Sequence, residues 1–339
     1  MLKEISFIRP ILIIHLVVYH AFIIYRGGWR EPVGFVPNNI YWWIASIAYS
    51  FMLEMFVFIS GYVWSYSIFY RSKVQSFLSL VYSKVKRLIL PSVLFSTIYL
   101  FLLTDFEKCS FISILYQIIK GVGHMWFLPM LFWCFVFGAL LNKLVIKDIY
   151  KLIILFVLSL MSFIPLPFQM GSSLYYLFFF YSGFIAKKKF VNFDFSIKRR
   201  NILFSWFLFV VAFVMLTLLN NKVSSFDCDS NLLFRALRVI VIKFDRIVFS
   251  SLGILAMLFT AIYLTKKYEL PQWVIKLGEY CFGVYLFQQF VLQLIYYHTQ
   301  LPLILGPILL PWIATIITLV ISISLSYLLR MTRIGRAII

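Results

Sequence analysis

The chain of 339 residues is 63% hydrophobic, 20% aromatic and 13% charged, where a soluble domain carries about 45–50% apolar and about 25% charged residues. So few charges cannot cover a soluble fold of this length, which excludes an ordinary soluble enzyme, a disordered chain and a disulfide-rich scaffold. The formal net charge is +19, but the basic residues sit in short clusters between apolar runs, where they report membrane topology rather than nucleic-acid binding.

Runs of about 20 mostly apolar residues occur near 7–25, 41–66, 88–104, 125–142, 149–165, 171–186, 201–220, 245–264, 280–298 and 307–329. They predict an all-α polytopic membrane protein of ten spans, a single integral membrane domain over 1–339. The connections are too short to hold a soluble domain. With the N-terminus inside, alternate threading places 22 of the 31 Lys and Arg residues on the cytoplasmic side, so both termini are expected to be cytoplasmic. The outer set, Arg26, Arg30, Lys108, Lys120, Lys222, Arg235, Arg238, Lys243 and Arg246, is diluted by six carboxylates.

The first run contains two histidines and no small-residue cleavage site, so it is expected to stay as the first span rather than leave as a signal peptide. Before the eighth run, 231–243 reads as an amphipathic stretch in the outer interface, with Arg235, Arg238 and Lys243 along it. Cys134 and Cys281 fall inside spans and read as packing residues. Cys109 and Cys228 fall in outer loops and are able to pair in an oxidising compartment. No Cys/His spacing suits a metal.

An ionisable side chain in a membrane helix costs at least about 2.5–3.5 kcal/mol, so each one needs a reason. Arg9 and His20 lie 11 positions apart in the first run, which puts them within about 20° on one helix face, roughly 16 Å apart along the axis. His20 reads either as a core histidine bonded to another helix or as an acid–base group. His15, about 140° round from His20, reads as structural. In the second run Glu54 stands seven before Gly61, on the same face, above a place where a missing side chain allows close packing. It reads as a carboxyl that is protonated or paired with a base on the first helix, and also as one that orients and charges a histidine for proton transfer, two readings that are not exclusive.

The run Ser83-Lys84-Val85-Lys86-Arg87-Leu88-Ile89-Leu90-Pro91 opens the third span from the cytoplasmic side. Such a cluster anchors topology; Lys84, Lys86 and Arg87 are also suited to the phosphates of an anionic cosubstrate such as coenzyme A. Gly121-Val122-Gly123-His124-Met125-Trp126-Phe127-Leu128-Pro129 opens the fourth span at the outer surface. Trp126 suits the interfacial belt, and His124 beside it adds a titratable group.

These segments in this order resemble the membrane-bound acyltransferase-3 family, over essentially the whole chain. The most specific element is an arginine followed after ten residues by a histidine, Arg9 to His20. Phe56 to Tyr62 is similar to the family's aromatic run ending in Ser-Gly, with Glu54 where many members have an acidic residue. Lys84 to Pro91 is similar to the basic segment before the third span, with Lys84 where arginine is common. His124 to Pro129 resembles the family's His-Leu-Trp-Phe-Leu segment, with Met125 for leucine. Tyr176 to Gly183 and Tyr280 to Gln288 resemble two later segments, the second of which often ends in histidine. Gln288 stands there instead, and glutamine carries no proton at neutral pH, so it is expected only to position substrate.

The resemblance implies an O-acyltransferase in the cell inner (cytoplasmic) membrane that moves an acyl group, usually acetyl, from acyl-CoA to a hydroxyl of a surface or lipid-linked glycan. It implies acetyl-CoA as a cosubstrate and no permanently bound cofactor. On this reading His20 is the base, either taking the acceptor proton directly or passing the acyl group on, Arg9 holds CoA or polarises the site, and Glu54 sets the histidine's charge. Lys84, Lys86 and Arg87 hold CoA phosphates, and Ser60, His124, Trp126 and Gln288 contact substrate. An uncharged imidazole is required, so activity is expected to fall with pH. The rival expectation is a transporter, flippase or exporter for a glycan or lipid-linked sugar, which also needs polar groups within its helices. The sequence shows neither paired broken helices nor a half-to-half repeat in its favour.

Overall fold

In lipid a backbone N–H or C=O has no water to bond, so an apolar run is stable as a helix that satisfies these groups internally. The computed structural model describes residues 2–71, 76–103, 110–189, 197–225 and 232–338, and among the described residues there is helix and no strand. The first half holds α1 (Lys3–Phe22), α2 (Asn39–Tyr49), α3 (Met52–Phe69), α4 (Phe77–Lys84), α5 (Leu90–Leu103), α6 (Phe111–Lys120) and α7 (Phe127–Lys143). The second holds α8 (Asp148–Leu160), α9 (Met170–Lys189), α10 (Arg199–Ser225), α11 (Leu232–Lys267), α12 (Gln272–His298), α13 (Leu301–Met331) and α14 (Arg333–Ile338). The chain is therefore an all-α polytopic membrane protein.

Each of the ten apolar runs lies mainly on helix among the described residues, the second broken between α2 and α3 and the fifth continuing past the end of α8, and seven helical stretches there are long and apolar enough to cross a membrane. The other three runs coincide with α8, α9 and α12. Helix α8 has 13 residues, about 20 Å, and α9 and α12 carry more polar residues. Both are largely buried against protein, so their composition answers to neighbouring helices rather than to lipid. Helix α10 is the opposite case, with Leu203, Phe204, Phe207, Val210 and Met215 all exposed.

One expectation changes. The stretch before the eighth run is no separate interfacial element: α11 is unbroken over 36 residues. It contains no proline, and nothing between Arg235 and Arg246 terminates it. Cys134 and Cys281 are free and buried; Cys109 and Cys228 lie outside the described residues.

The chain divides into two compact units, one of Met1–Met52 with Met257–Ile339 and one of Leu53–Ala256. In the first unit α1 and α12 run parallel: Gly278 near the start of α12 faces Ser6 and Pro10, and Tyr296 near its end donates to the carbonyl of Ala21. Helix α13 returns antiparallel, with Arg330 3.4 Å from Glu279 and Ser326 filling the place of a side chain at Gly283. It is kinked at Gly306 (φ 64°, ψ 174°) ahead of Pro307 and Pro311. Pro311 has no N–H for the carbonyl of Pro307, and the Tyr25 hydroxyl donates to that carbonyl at 2.6 Å. Tyr41 caps the next carbonyl, Ile308, at 2.9 Å.

In the second unit α3 and α9 cross where two glycines meet backbone. A Cβ on Gly61 would stand 1.9 Å from the Phe180 carbonyl oxygen, and one on Gly183 2.0 Å from that of Phe58. The two helices run parallel, because Glu54 meets Tyr175 near their starts and Lys187 lies over the rings of Tyr62, Tyr66 and Tyr70 near their ends. Helix α8 is antiparallel to α9, with Asp148 3.1 Å from Lys188 and Phe156 against Phe178.

Candidate functional site

The first unit holds Arg9, His20 and Gln288. Arg9 is half-buried on α1 and within electrostatic reach of Cys281 on α12. His20, near the other end of the same helix, is buried at 7% exposure. Beyond it a 3₁₀ turn (Ile23–Arg26) ends in Gly27 at φ 67°, a left-handed conformation that glycine adopts without strain. The following segment brings the Trp29 ring parallel to the His20 imidazole, centroids 5.9 Å apart and 13° from coplanar. Tyr296 meets Trp29 edge-on at 6.3 Å, and Tyr297 donates to the Arg30 carbonyl at 2.7 Å, which fixes this segment to the end of α12. Tyr19 leans on His20 at 5.0 Å. His15 points elsewhere, its Nδ1 2.8 Å from the Ile11 carbonyl of its own helix.

Gln288 is fully buried on α12, and neither of its amide atoms makes a hydrogen bond among the described residues. A buried primary amide without partners costs about 1–3 kcal/mol. That cost suits a side chain kept for a ligand.

The second unit holds the other candidates, at two ends of its helices. Glu54, fully buried at the start of α3, accepts through Oε1 from Arg246 Nε at 2.7 Å and from the Tyr175 hydroxyl at 3.2 Å. Its Oε2 has no hydrogen bond among the described residues. Arg246 and Lys243, one turn apart on α11, both lie over the Tyr175 ring, at 6.0 and 5.8 Å, and Lys243 also donates to Ser162. Tyr175 packs edge-on against Tyr176 at 4.9 Å, and Tyr176 lies 6.0 Å from Trp126. Glu54 and Trp126 thus belong to one cluster, joined through two tyrosines.

His124 is buried in the 3₁₀ turn Gly123–Trp126, 6.5 Å from the Tyr99 ring. Gly121 (φ 89°) makes that turn possible, since a Cβ there would sit 2.7 Å from the Trp126 nitrogen. Ser96 accepts from Val122 N at 3.1 Å and Gln169 donates to the Lys120 carbonyl at 3.3 Å, holding the turn in place. Ser60 donates to Phe56 O at 2.8 Å within α3, so its proton is spent on its own helix.

At the other end the basic triplet is divided. Pro91 has no N–H for the Arg87 carbonyl, and the chain relieves this with a π-helical turn over Val85–Ile89. The wider turn leaves Lys86 and Arg87 exposed. Lys84 instead points inward, its Nζ 3.6 Å from the centre of the Phe135 ring.

Sequence reasoning missed Arg246, Tyr175 and Trp29. Arg246 counts among the outer basic residues although it stands with Asp245 at the head of the eighth apolar run, where the cost argument applied to Glu54 already holds. Trp29 carries no pattern of its own in the sequence.

The model of a family described as an acyltransferase domain matches residues 2–331. No curated protein and no solved structure matches the chain. Nearly the whole length is covered by that one family, and the chain therefore belongs to the acyltransferase-3 family of membrane acyltransferases.

Proposed function

We propose that this membrane acyltransferase is an acyl-CoA-dependent O-acetyltransferase of a surface or lipid-linked polysaccharide in the cytoplasmic membrane. The observation that carries the reading is the pairing on α1 of a half-buried arginine with a buried histidine under an aromatic cover, in a chain whose family moves acyl groups. Transfer forms an ester C–O bond and breaks the thioester C–S bond. His20 takes the hydroxyl proton of the acceptor, and that proton leaves with the CoA thiol. Arg9 polarises the thioester or holds CoA, and Lys86 and Arg87 on the exposed turn hold its phosphates. Lys84 supports that turn from below through its ring contact. Gln288 offers donor and acceptor groups to the substrate, and His124 and Trp126 line the acceptor side.

The orientation belongs to the same proposal. Ten spans threaded from a cytoplasmic N-terminus make the first and ninth parallel, and likewise the second and sixth. The α1/α12 and α3/α9 pairings have those directions. The excess of basic residues supports a cytoplasmic side for both termini. Acetyl-CoA enters from that side, and the stripe from Arg9 to His20 rises about 16 Å away from it.

Purified protein that transfers labelled acetyl from acetyl-CoA to a glycan supports this reading. Protein that moves a labelled glycan across vesicles without acetylating it supports the exporter instead.

A further inference from the structure

Helix α11 carries Arg235, Arg238, Lys243 and Arg246 within an arc of about 140° over about 16 Å, and it is continuous through them. This is the stretch whose basic face topology alone does not explain, because it does not stop at the membrane surface. It runs down to Arg246, which lies against buried Glu54. Arg235 is exposed, Arg238 and Lys243 are half-buried, and the Arg246 side chain is 27% exposed. The series thus descends from water into the unit.

At the foot of the series the chemistry changes. Glu54 Oε2 is a buried carboxylate oxygen with no hydrogen bond among the described residues. Tyr175, Tyr176 and Trp126 supply aromatic faces in the same cluster. Cations above, a carboxylate acceptor below and aromatic rings beside them suit a charged sugar: its anionic groups meet Arg and Lys, a hydroxyl donates to the carboxylate, and its ring packs on aromatics. A lipid phosphate fits less well, because its oxygens only accept and the Glu54 carboxylate would repel them.

We infer that the end of the second unit where α3, α7 and α9 begin binds an anionic glycan, with Arg235, Arg238, Lys243 and Arg246 holding its negative groups and Glu54 Oε2 taking a hydroxyl. The inference deepens the proposed function. It rests on that reading's orientation, which makes this the outer face, and it names the acceptor as acidic.

The test separates the two. Purified protein in phosphatidylcholine nanodiscs is titrated with a fluorescent oligoglucuronate and with a neutral oligoglucose of equal length, without acetyl-CoA. The uronate should bind at least about tenfold more tightly, and its affinity should fall with added salt. Arg235→Gln/Arg238→Gln should weaken uronate binding about tenfold, the order that one exposed and one half-buried charge pair supply together. Arg199→Gln/Arg200→Gln removes equal charge from the start of α10 and should leave uronate binding as it was. Equal affinity for both probes, equal effects of the two double variants, or loss of uronate binding on enriching the discs in phosphatidylglycerol each overturn the site. Acetyl transfer to both probes is measured alongside. Uronate binding without any transfer refutes the enzyme and leaves the site standing, whereas transfer without uronate preference refutes the site alone.

Discussion

Arg246 Nε lies 2.7 Å from Glu54 Oε1, and the Glu54 side chain is fully buried. Taking Arg246 away strands the Glu54 carboxylate in a low-dielectric site, at about 3–5 kcal/mol, whereas taking Glu54 away leaves an Arg246 side chain that is 27% exposed. Arg246→Leu should lower the melting temperature in detergent sharply, and Glu54→Leu less so. The double variant, which buries no charge, should recover most of that loss while acetyl transfer stays absent. Recovery of activity along with stability would show the pair to be structural only.

The crossing of α3 and α9 tolerates no side chain at its centre. Gly61→Ala and Gly183→Ala place a Cβ about 2 Å from a backbone carbonyl oxygen, and overpacking of this kind costs about 1–3 kcal/mol. Thermal unfolding should register both. Ser60→Ala, one residue away, loses only a bond to its own helix and should shift the midpoint far less.

Tyr25→Phe removes the hydroxyl that serves the carbonyl left open by Pro311. The expected loss is about 1–3 kcal/mol, seen as a lower melting temperature. The double variant Tyr25→Phe/Pro311→Ala restores a backbone donor and should regain part of it.

The divided basic triplet separates binding from support. Lys86→Gln/Arg87→Gln should raise the KM for acetyl-CoA about tenfold with a smaller change in kcat, as loss of ground-state phosphate contacts does. Lys84→Met loses a contact to the Phe135 ring worth about 0.5–2 kcal/mol. It should lower the melting temperature first and alter KM only through the turn that Lys84 supports.

What the sequence made legible follows the physics of each feature. The ten apolar runs were readable because lipid forces helix on any long apolar stretch, and Gly61 because a glycine facing an apolar run marks close approach. The placing of Arg9 and His20 on one face needed only helix periodicity. Glu54's partner was not readable, since Arg246 is 192 positions away and pairing at that separation depends on tertiary packing. The continuity of α11 was hidden because its first turns are basic and read as a surface element. The inward turn of Lys84, just ahead of the π-helical turn, depends on its packing against Phe135, which the helical period of the run does not show. Trp29 reaches His20 through a segment whose course is set by Gly27 and by Tyr297 on a distant helix.

His20 is the proposed base, and its most direct test is the rate of acetyl transfer from acetyl-CoA by purified His20→Ala protein whose melting temperature matches the wild type. Loss of general-base catalysis predicts a fall of about 10²–10⁴-fold in kcat, with the KM for acetyl-CoA little changed. A His20→Ala protein that is folded and acetylates its acceptor at the wild-type rate would contradict the account.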